Sequence, residues 1–247
     1  MSAASTSTST STATSAADRP LSATPRTTAT RARERVLDDR SALHAVLGRA
    51  LVAHVGLSLP DHPVVLPMAV ALDLEGPDEG GTLYLHGSVG SGWLRRIAGA
   101  TVCVTVTELD GLVLARSAMH HSMNYRCAVV LGAARVVEDA DERGRALHRV
   151  VDQVVPGRAS TLREHTRREL AATLVVAVPL AEASLKVRSG GPVDDPADED
   201  PAVWSGHVPL QTVAGEPVTA PGVSVAAPAD VTRRAADLAG PVGASMS

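Results

Sequence analysis

The segment that most limits the possible folds is TVCVTVTELDGLVLARS, residues 101–117, which alternates more regularly than any other part of the chain. Val102, Val104 and Val106 share one side of an extended chain, while threonines and Cys103 share the other. Alternation with a period of two indicates a strand with one buried face. Asp110-Gly111 is a favourable hairpin turn, so we predict that the chain reverses there and continues as a strand over 112–115.

Other apolar runs of strand length lie on both sides of this segment, at 50–59, 63–74, 83–89, 125–139 and 172–190. Helical spacing is confined to a short helix or turn within 34–50, to 90–100, and to two segments near 141–154 and 161–172. Strands in short-loop succession, with helices inserted at few points, do not follow the alternation of a Rossmann-type sheet. We therefore predict a mainly β (α+β) fold, an antiparallel barrel with peripheral helices.

The chain divides into one domain and two tails. Residues 1–33 are rich in Ser and Thr and have no apolar signal-peptide core, which predicts a disordered tail; a transit peptide is the alternative. Residues 34–210 form the predicted domain, and residues 211–247 are predicted to be largely disordered. No run approaches the roughly 20 apolar residues of a membrane span.

Composition restricts the partners. Only 2% of the residues are aromatic, and the net charge is −4, so the chain has no basic field for nucleic acid or an anionic membrane. The two cysteines, Cys103 and Cys127, form no CxxC pair and are typical of small buried side chains in a reduced compartment. We expect a cytoplasmic protein that binds neither nucleic acid nor a membrane.

The glycine- and serine-rich loop in LHGSVGSGWLRRI, residues 85–97, is a candidate phosphate site. Glycines allow main-chain N–H groups to approach an anion, and Ser88, Ser91 and Arg95 or Arg96 would add donors. The loop is neither a P-loop nor a dinucleotide fingerprint. The alternative is an ordinary strand-to-helix loop with arginines in solvent.

Chemically able side chains are concentrated in ARSAMHHSMNYRCAVVLG, residues 115–132. His120 and His121 are neighbours and point to opposite faces of an extended chain, and no spacing here is typical of a metal site. We predict no metal. Arg126 either reaches a phosphate or ring oxygen of a ligand, or is a barrel-rim arginine paired with an acid. His86 is a candidate for bonding a ligand, with a structural role as the alternative.

These segments resemble the pyridoxamine 5′-phosphate oxidase-like family, and more narrowly its branch of nitroimidazole-resistance-type flavoproteins. The similarity extends over about 35–210, and its most specific parts are DGLVLARSAMHHSMNYR and EASLKVRSG. The resemblance implies an FMN-binding split β-barrel that forms a homodimer with the flavin at the subunit interface.

The resemblance also implies roles for particular residues. His86, Gly87 and Ser88 would lie along the flavin-facing strand end, and Ser91, Trp93 and Arg95 near the phosphate. The remaining predicted contacts are Thr105 and Thr107 at the ring system, His121, Asn124, Tyr125 and Arg126 closing the site, and Lys186 and Arg188 from the second subunit. His121 and His86 are the predicted proton donors.

The chain departs from the family pattern in two ways. The loop has GSGW where a basic residue is usual, and the C-terminal pyridoxamine-phosphate motif is not recognisable. Flavin-dependent reduction of a small organic substrate is therefore favoured over vitamin B6 oxidation. Two alternatives stay open: a haem-binding or haem-degrading split barrel with His120, His121 or His207 as ligand, and a barrel that holds flavin without turnover or holds no cofactor.

Overall fold

The computed structural model describes residue 21 and residues 24–198 and 200–239. Eleven strands occur within these residues: β1 Val36–Leu37, β2 Ala53–Ser58, β3 Pro63–Met68, β4 Val70–Asp73, β5 Thr82–Ser88, β6 Thr101–Leu114, β7 Ser122–Ala133, β8 Arg135–Val136, β9 Thr173–Pro179, β10 Glu182–Arg188 and β11 Gly206–Pro209. The α-helices of the same part of the chain are α1 Arg40–Arg49, α2 Gly92–Ile97, α3 Ala140–Val154, α4 Arg167–Ala172 and α5 Ala229–Ala239.

The strands form two antiparallel sheets. The larger sheet has the order β1-β10-β7-β6-β2-β3, with β11 pairing β6 on the same edge as β2. The smaller sheet has the order β4-β5-β9-β8. This arrangement is the predicted antiparallel split barrel with helices at its periphery.

The chain passes between the sheets at three short junctions. These are Ala69 between β3 and β4, Ala134 between β7 and β8, and Leu180-Ala181 between β9 and β10. Each of the long apolar runs at 63–74, 125–139 and 172–190 therefore contains two strands of different sheets, where the sequence predicted one. Ala134 and Leu180 are buried at these junctions, so hydrophobicity does not drop where the chain changes sheet.

The predicted hairpin at Asp110-Gly111 is wrong. Strand β6 continues through it to Leu114, because Asp110 forms a bulge between the pairs Leu109–Tyr125 and Gly111–Asn124. A two-residue hairpin turn of the expected type needs positive φ at both central residues, and neither Asp110 nor Gly111 has it. Continuous pairing with β7 and with β11 keeps the chain extended.

The main core lies between the two sheets and is aliphatic. Inward-facing residues of β6 and β7, including Val104 and Val130, meet Leu83 and Leu85 of the smaller sheet. Helix α1 packs into the same core through Leu43, Val46 and Leu47. A second cluster under α3 contains Tyr84, Ala146 and Leu147 and covers the outer face of the smaller sheet.

The helix boundaries follow from their caps. The Asp39 carboxylate accepts a hydrogen bond from Ser41 N and begins α1 at Arg40, so the segment 34–50 is helical only from Arg40, and Val36 belongs to β1. The predicted helix at 141–154 is confirmed as α3. The segment 161–172 is shorter than predicted, since Thr166 and Glu169 form a capping box that begins α4 at Arg167.

Parts of both predicted tails are ordered against the domain. Thr24 and Arg26 bond the carboxylate of Glu182, whereas residues 1–20, 22 and 23 lie outside the described residues. In the segment predicted to be largely disordered, α5 is attached to α3 because Arg234 donates to the carbonyl oxygens of Val154 (2.8 Å) and Gln153 (3.2 Å). Within the described chain, no helix has the length and apolarity of a membrane span.

The two sheets approach each other closely at Gly132. A Cβ atom at Gly132 would lie 3.0 Å from Val178 Cγ1 and 3.1 Å from Pro179 Cδ. We expect Gly132→Val to lower the free energy of unfolding by about 1–3 kcal/mol through overpacking, although valine favours strands. Urea denaturation measures this. Gly144→Ala, in helix α3 with open space around it, should instead raise stability by up to about 1 kcal/mol.

Candidate functional site

The outer face of the larger sheet carries several predicted flavin contacts in register. Lys186 lies opposite Cys127, and Cys127 lies opposite Thr107. In the adjacent row, Ser184, Val129 and Thr105 follow one another across β10, β7 and β6. Because side chains alternate along strands, these residues point away from the barrel core. We refer to Thr105, Thr107, Tyr125, Cys127 and Lys186 as the outer face.

Polar groups on the outer face have open hydrogen-bonding capacity. The Thr105 hydroxyl is 3.5 Å from the carbonyl oxygen of His54, and the Thr107 hydroxyl is 3.6 Å from Cys127 Sγ, both long for hydrogen bonds. Among the described residues, neither the Tyr125 hydroxyl nor the Lys186 ammonium has a hydrogen-bond or ion-pair partner. The face therefore offers hydroxyl and ammonium donors to a ligand.

The two cysteines lie at different positions on this face and are not bonded to each other. Burial, with a smaller contribution from Cys127, raises the pKa of the Cys103 thiol. Cys103 pairs with Leu131 in the sheet, and Cys127 pairs with Thr107. The two pairs are separated by four residues along each strand. Both cysteines are free.

The glycine- and serine-rich loop lies at the opposite end of β6. Ser91 precedes α2 without capping it through its side chain, Arg95 is exposed on α2, and Trp93 packs partly against the core. Ser88 Oγ accepts a hydrogen bond from Gly90 N at 3.1 Å. The chain leaves α2 and enters β6 at Thr101, six residues or about 20 Å before Thr107. The loop and Arg95 therefore precede the start of β6, whereas Thr107 lies near its middle.

His86 and Gly87 do not share a surface with the outer face. His86 has the same orientation on β5 as Tyr84, whose hydroxyl donates to Glu142 of α3 at 3.0 Å. His86 Nδ1 is buried without a hydrogen-bond partner in the described structure, and burial lowers the pKa of His86. A Cβ atom at Gly87 would meet Leu94 at 3.0 Å. His86 is thus a neutral side chain on the helix-covered side of the smaller sheet.

Arg126 is a barrel-rim arginine paired with acids, the alternative that the sequence left open. Its guanidinium donates to both oxygens of Asp110, at 3.0 and 2.7 Å, and lies 2.8 Å from Glu108 Oε2. The hydrogen bonds to Asp110 raise the pKa of Arg126, opposed by burial and helped by Glu108. Bidentate pairing occupies the donors that a phosphate would need.

Asn124 and the two neighbouring histidines have partners within the chain. The buried Asn124 amide donates to the Gly190 carbonyl at 3.0 Å and accepts from Arg188 at 2.5 Å. His121 Nδ1 lies 2.9 Å from the Ser117 carbonyl on an exposed loop, which leaves its Nε2 directed elsewhere. His120 Nε2 lies 3.2 Å from Asp195 Oδ2, within a partly exposed cluster that also includes Asp198.

A cavity that the sequence did not predict lies beside Thr107. Strand β2 pairs with β6 only as far as Thr105, and β11 begins to pair at Gly111. The gap between them opens into a cavity of about 510 Å³, the edge cavity. Its walls come from the end of α1, from β6, from the segment after β11 and from α5: Arg49–Val52, Val106–Asp110, Arg126, Leu210–Thr212, Arg234, Asp237 and Leu238.

A second cavity of about 270 Å³, the rim cavity, adjoins it across Leu210 and Gln211. Three residues predicted for the site, Asn124, Arg126 and Arg188, line the rim cavity together with His207. The C-terminal contributors to both cavities were missed because residues 211–247 have no strong hydrophobic run. The spacing of Val231, Ala235 and Leu238 is the helical signal that could have revealed α5.

The two antiparallel sheets and the open outer face define a split-barrel protein. The comparison with known families then identifies the family. The family model described as pyridoxamine 5′-phosphate oxidase matches residues 39–187. The chain belongs to this family. A search of curated proteins gives no significant match.

Three solved structures illustrate the similarity. The flavocytochrome Anf3 from Azotobacter vinelandii is 31% identical, covers 87% of this chain and 98% of its own, and has a TM-score of 0.78. The FAD and heme binding protein from Mycobacterium smegmatis is 38% identical, with 81% and 97% covered and a TM-score of 0.74. A 5-nitroimidazole antibiotic resistance protein from Bacteroides thetaiotaomicron is 24% identical, with 62% and 86% covered and a TM-score of 0.49.

The first two similarities extend past the family domain. Coverage of 81% of this chain corresponds to about 200 residues, more than the 187 that precede the end of the family match. Part of the chain that follows residue 187 therefore aligns with these structures.

Proposed function

We propose that this protein is a flavin-binding oxidoreductase that acts on a small organic substrate, with the flavin on the outer face. The observation that carries the proposal is the open set of donors there: the hydroxyls of Thr105, Thr107 and Tyr125 and the ammonium of Lys186. Beside these donors, the paired strands β6 and β7 present small side chains, including Cys103 and Cys127. Two relatives whose names include flavin support the same proposal.

The donor set fits a flavin chemically. The ring system of a flavin exposes carbonyl oxygens and ring nitrogens that accept hydrogen bonds, and Lys186 supplies positive charge near them. When bound, the flavin would supply hydride or electron transfer. Thr105 and Thr107 would orient the ring, and His121, with Nδ1 held at Ser117 O, would present Nε2 as a proton donor or acceptor.

We further propose a homodimer with the flavin between subunits. In one subunit the glycine- and serine-rich loop and Arg95 precede β6, whose residue Thr107 is about 20 Å along the strand from its first residue. A second subunit packed on the outer face could supply that loop, and with it Ser91 and Arg95, to the phosphate. The free cysteines support a reducing, cytoplasmic location.

The family resemblance predicts FMN, whereas the name of the 38% identical relative includes FAD. The flavin released when the protein is denatured distinguishes the two. Haem is the second candidate, since one of these two relatives is named a flavocytochrome and the other an FAD and heme binding protein. Of His120, His121 and His207, only His207 lines one of the two cavities described above. His207 would be the haem ligand.

The test is the absorption spectrum of the purified protein, followed by mass spectrometry of what denaturation releases. We expect oxidised-flavin bands, release of FMN or FAD, and bleaching on reduction. A Soret band that disappears in His207→Ala but not in His62→Ala would establish the haem site. A colourless protein that binds neither FMN nor FAD on titration would contradict the flavin proposal.

A further inference from the structure

We infer that the edge cavity binds an adenine nucleotide, either the adenylate half of a flavin cofactor or a free nucleotide. Its volume of about 510 Å³ is within the range of roughly 300–1,000 Å³ for small-molecule sites. Thr107 belongs to both the outer face and the cavity wall. The assignment of the adenylate to the cofactor rests on the proposed function, because only a flavin on the outer face would place its other half here.

The uncovered edge of β6 suits the adenine base. Between Thr105 and Gly111 the edge is not paired with a strand, and only Asp110 O is bonded there, accepting from Leu210 N at 3.0 Å. Alternate residues of such an edge direct N–H and C=O groups outward. Adenine presents an amino donor beside a ring-nitrogen acceptor, the complementary pair.

Aliphatic side chains can cover the faces of the base. Leu51, Val52 and Leu109 line the cavity and are 40%, 51% and 44% exposed. Such exposure leaves apolar area that a flat ring would bury. In a chain with only two tryptophans, two tyrosines and no phenylalanine, aliphatic contacts replace aromatic stacking.

Carboxylates at the cavity suit the ribose hydroxyls. Asp237 has no hydrogen bond or ion pair to any other described residue. Glu108 Oε2 is buried and lies 2.8 Å from Arg126 Nη2, which leaves Asp237 as the carboxylate open to a ribose. Acidic side chains commonly accept hydrogen bonds from ribose in nucleotide sites.

Arg49 is the cation left for the phosphate. Its Nε lies 3.6 Å from Glu108 Oε1, beyond hydrogen-bond distance, and its side chain is 45% exposed. Arg234, by contrast, donates to main-chain carbonyls and holds α5 over the cavity. A simple anion would use only Arg49, and a simple amine only the carboxylates. A nucleotide uses both and the strand edge as well.

The test is calorimetric titration of the purified protein, freed of any bound flavin, with AMP, adenosine, FMN, FAD and NADPH. We expect AMP to bind, and Arg49→Gln and Asp237→Asn each to weaken it about tenfold, the loss of one charged hydrogen bond. Arg49→Gln should also remove the preference for AMP over adenosine. The affinity for FMN should be the same in both variants as in the unchanged protein. Arg168→Gln and Glu216→Gln are the matched controls, since both residues are exposed and lie outside the cavity wall.

Competition between the ligands distinguishes the adenylate half of a flavin cofactor from a free nucleotide. Competition of AMP with FAD but not with FMN identifies the adenylate half of the cofactor. AMP or NADPH binding that leaves FAD affinity unchanged identifies a free nucleotide. Flavin binding without AMP binding at millimolar concentration overturns the inference and leaves the proposed function intact. AMP binding in a protein that binds no flavin overturns the proposed function and supports a nucleotide site alone.

Discussion

Arg135→Gln is expected to lower the free energy of unfolding at pH 7 by about 3 kcal/mol, as breaking a largely buried ion pair does. Arg135 joins the smaller sheet to its surroundings by donating to both oxygens of Asp78, at 2.9 and 2.8 Å, and to Glu142, at 2.6 and 3.1 Å. The Asp78 and Glu142 side chains are only 14% and 10% exposed. Glutamine would leave two nearly buried carboxylates without their cation.

The deficit should shrink at low pH. Burial alone would raise the pKa of Asp78, but the bonds from Arg135 and Thr82 hold it below its ordinary value. In the native protein the Asp78 contribution is present above the ordinary pKa and lost as pH falls through the lowered folded pKa. Without Arg135, burial would raise the pKa of Asp78 in the folded variant, so protonation would relieve the variant as the pH falls.

Urea denaturation at pH 7 and pH 4 measures both effects. Arg163→Gln is the control, because Arg163 pairs with Glu169 on the surface, with side chains 68% and 45% exposed, and should change stability little. Equal losses in the two variants, or a deficit independent of pH, would show that the Arg135 network contributes no more than a surface pair.

The split barrel was predictable because its main strands carry strong local signals. The alternation around Val102, Val104 and Val106 identified the buried face of β6, and its partner strands are mostly continuous apolar runs. What alternation does not encode is where a chain passes from one sheet to another. Ala69, Ala134 and the Leu180-Ala181 junction look like strand interior in the sequence, and a bulge at Asp110 looks like a turn.

The candidate site was predictable only in part. The family resemblance assigned Thr107, Tyr125 and Lys186 to the proposed site, and strand register places their strands side by side. Sequence could not show that Asn124 and Arg126 are bonded within the chain, because their partners Gly190 and Asp110 depend on tertiary contacts. Nor could it reveal the edge cavity, which exists because β2 and β11 each cover only part of β6.

Cys127→Trp is expected to abolish flavin binding. Cys127 lies between Lys186 and Thr107 at the centre of the outer face, and a tryptophan there would occupy the space proposed for the ring and for the second subunit. Because the side chain points away from the core, the barrel should still fold. We expect at least a tenfold lower ratio of flavin to protein absorbance and a shift toward monomer in light scattering, with an unchanged far-ultraviolet circular dichroism spectrum.

Two further variants separate blocking from other effects. Cys127→Ser keeps the small side chain and should retain flavin, which would exclude a required thiol. Leu162→Trp adds the same bulk to a residue that is 48% exposed in the connection between α3 and α4, and should leave flavin and oligomeric state unchanged. If Cys127→Trp kept a full complement of flavin, the flavin would have to lie off the outer face. The edge and rim cavities, both bounded by the C-terminal segment, would then be its remaining described sites.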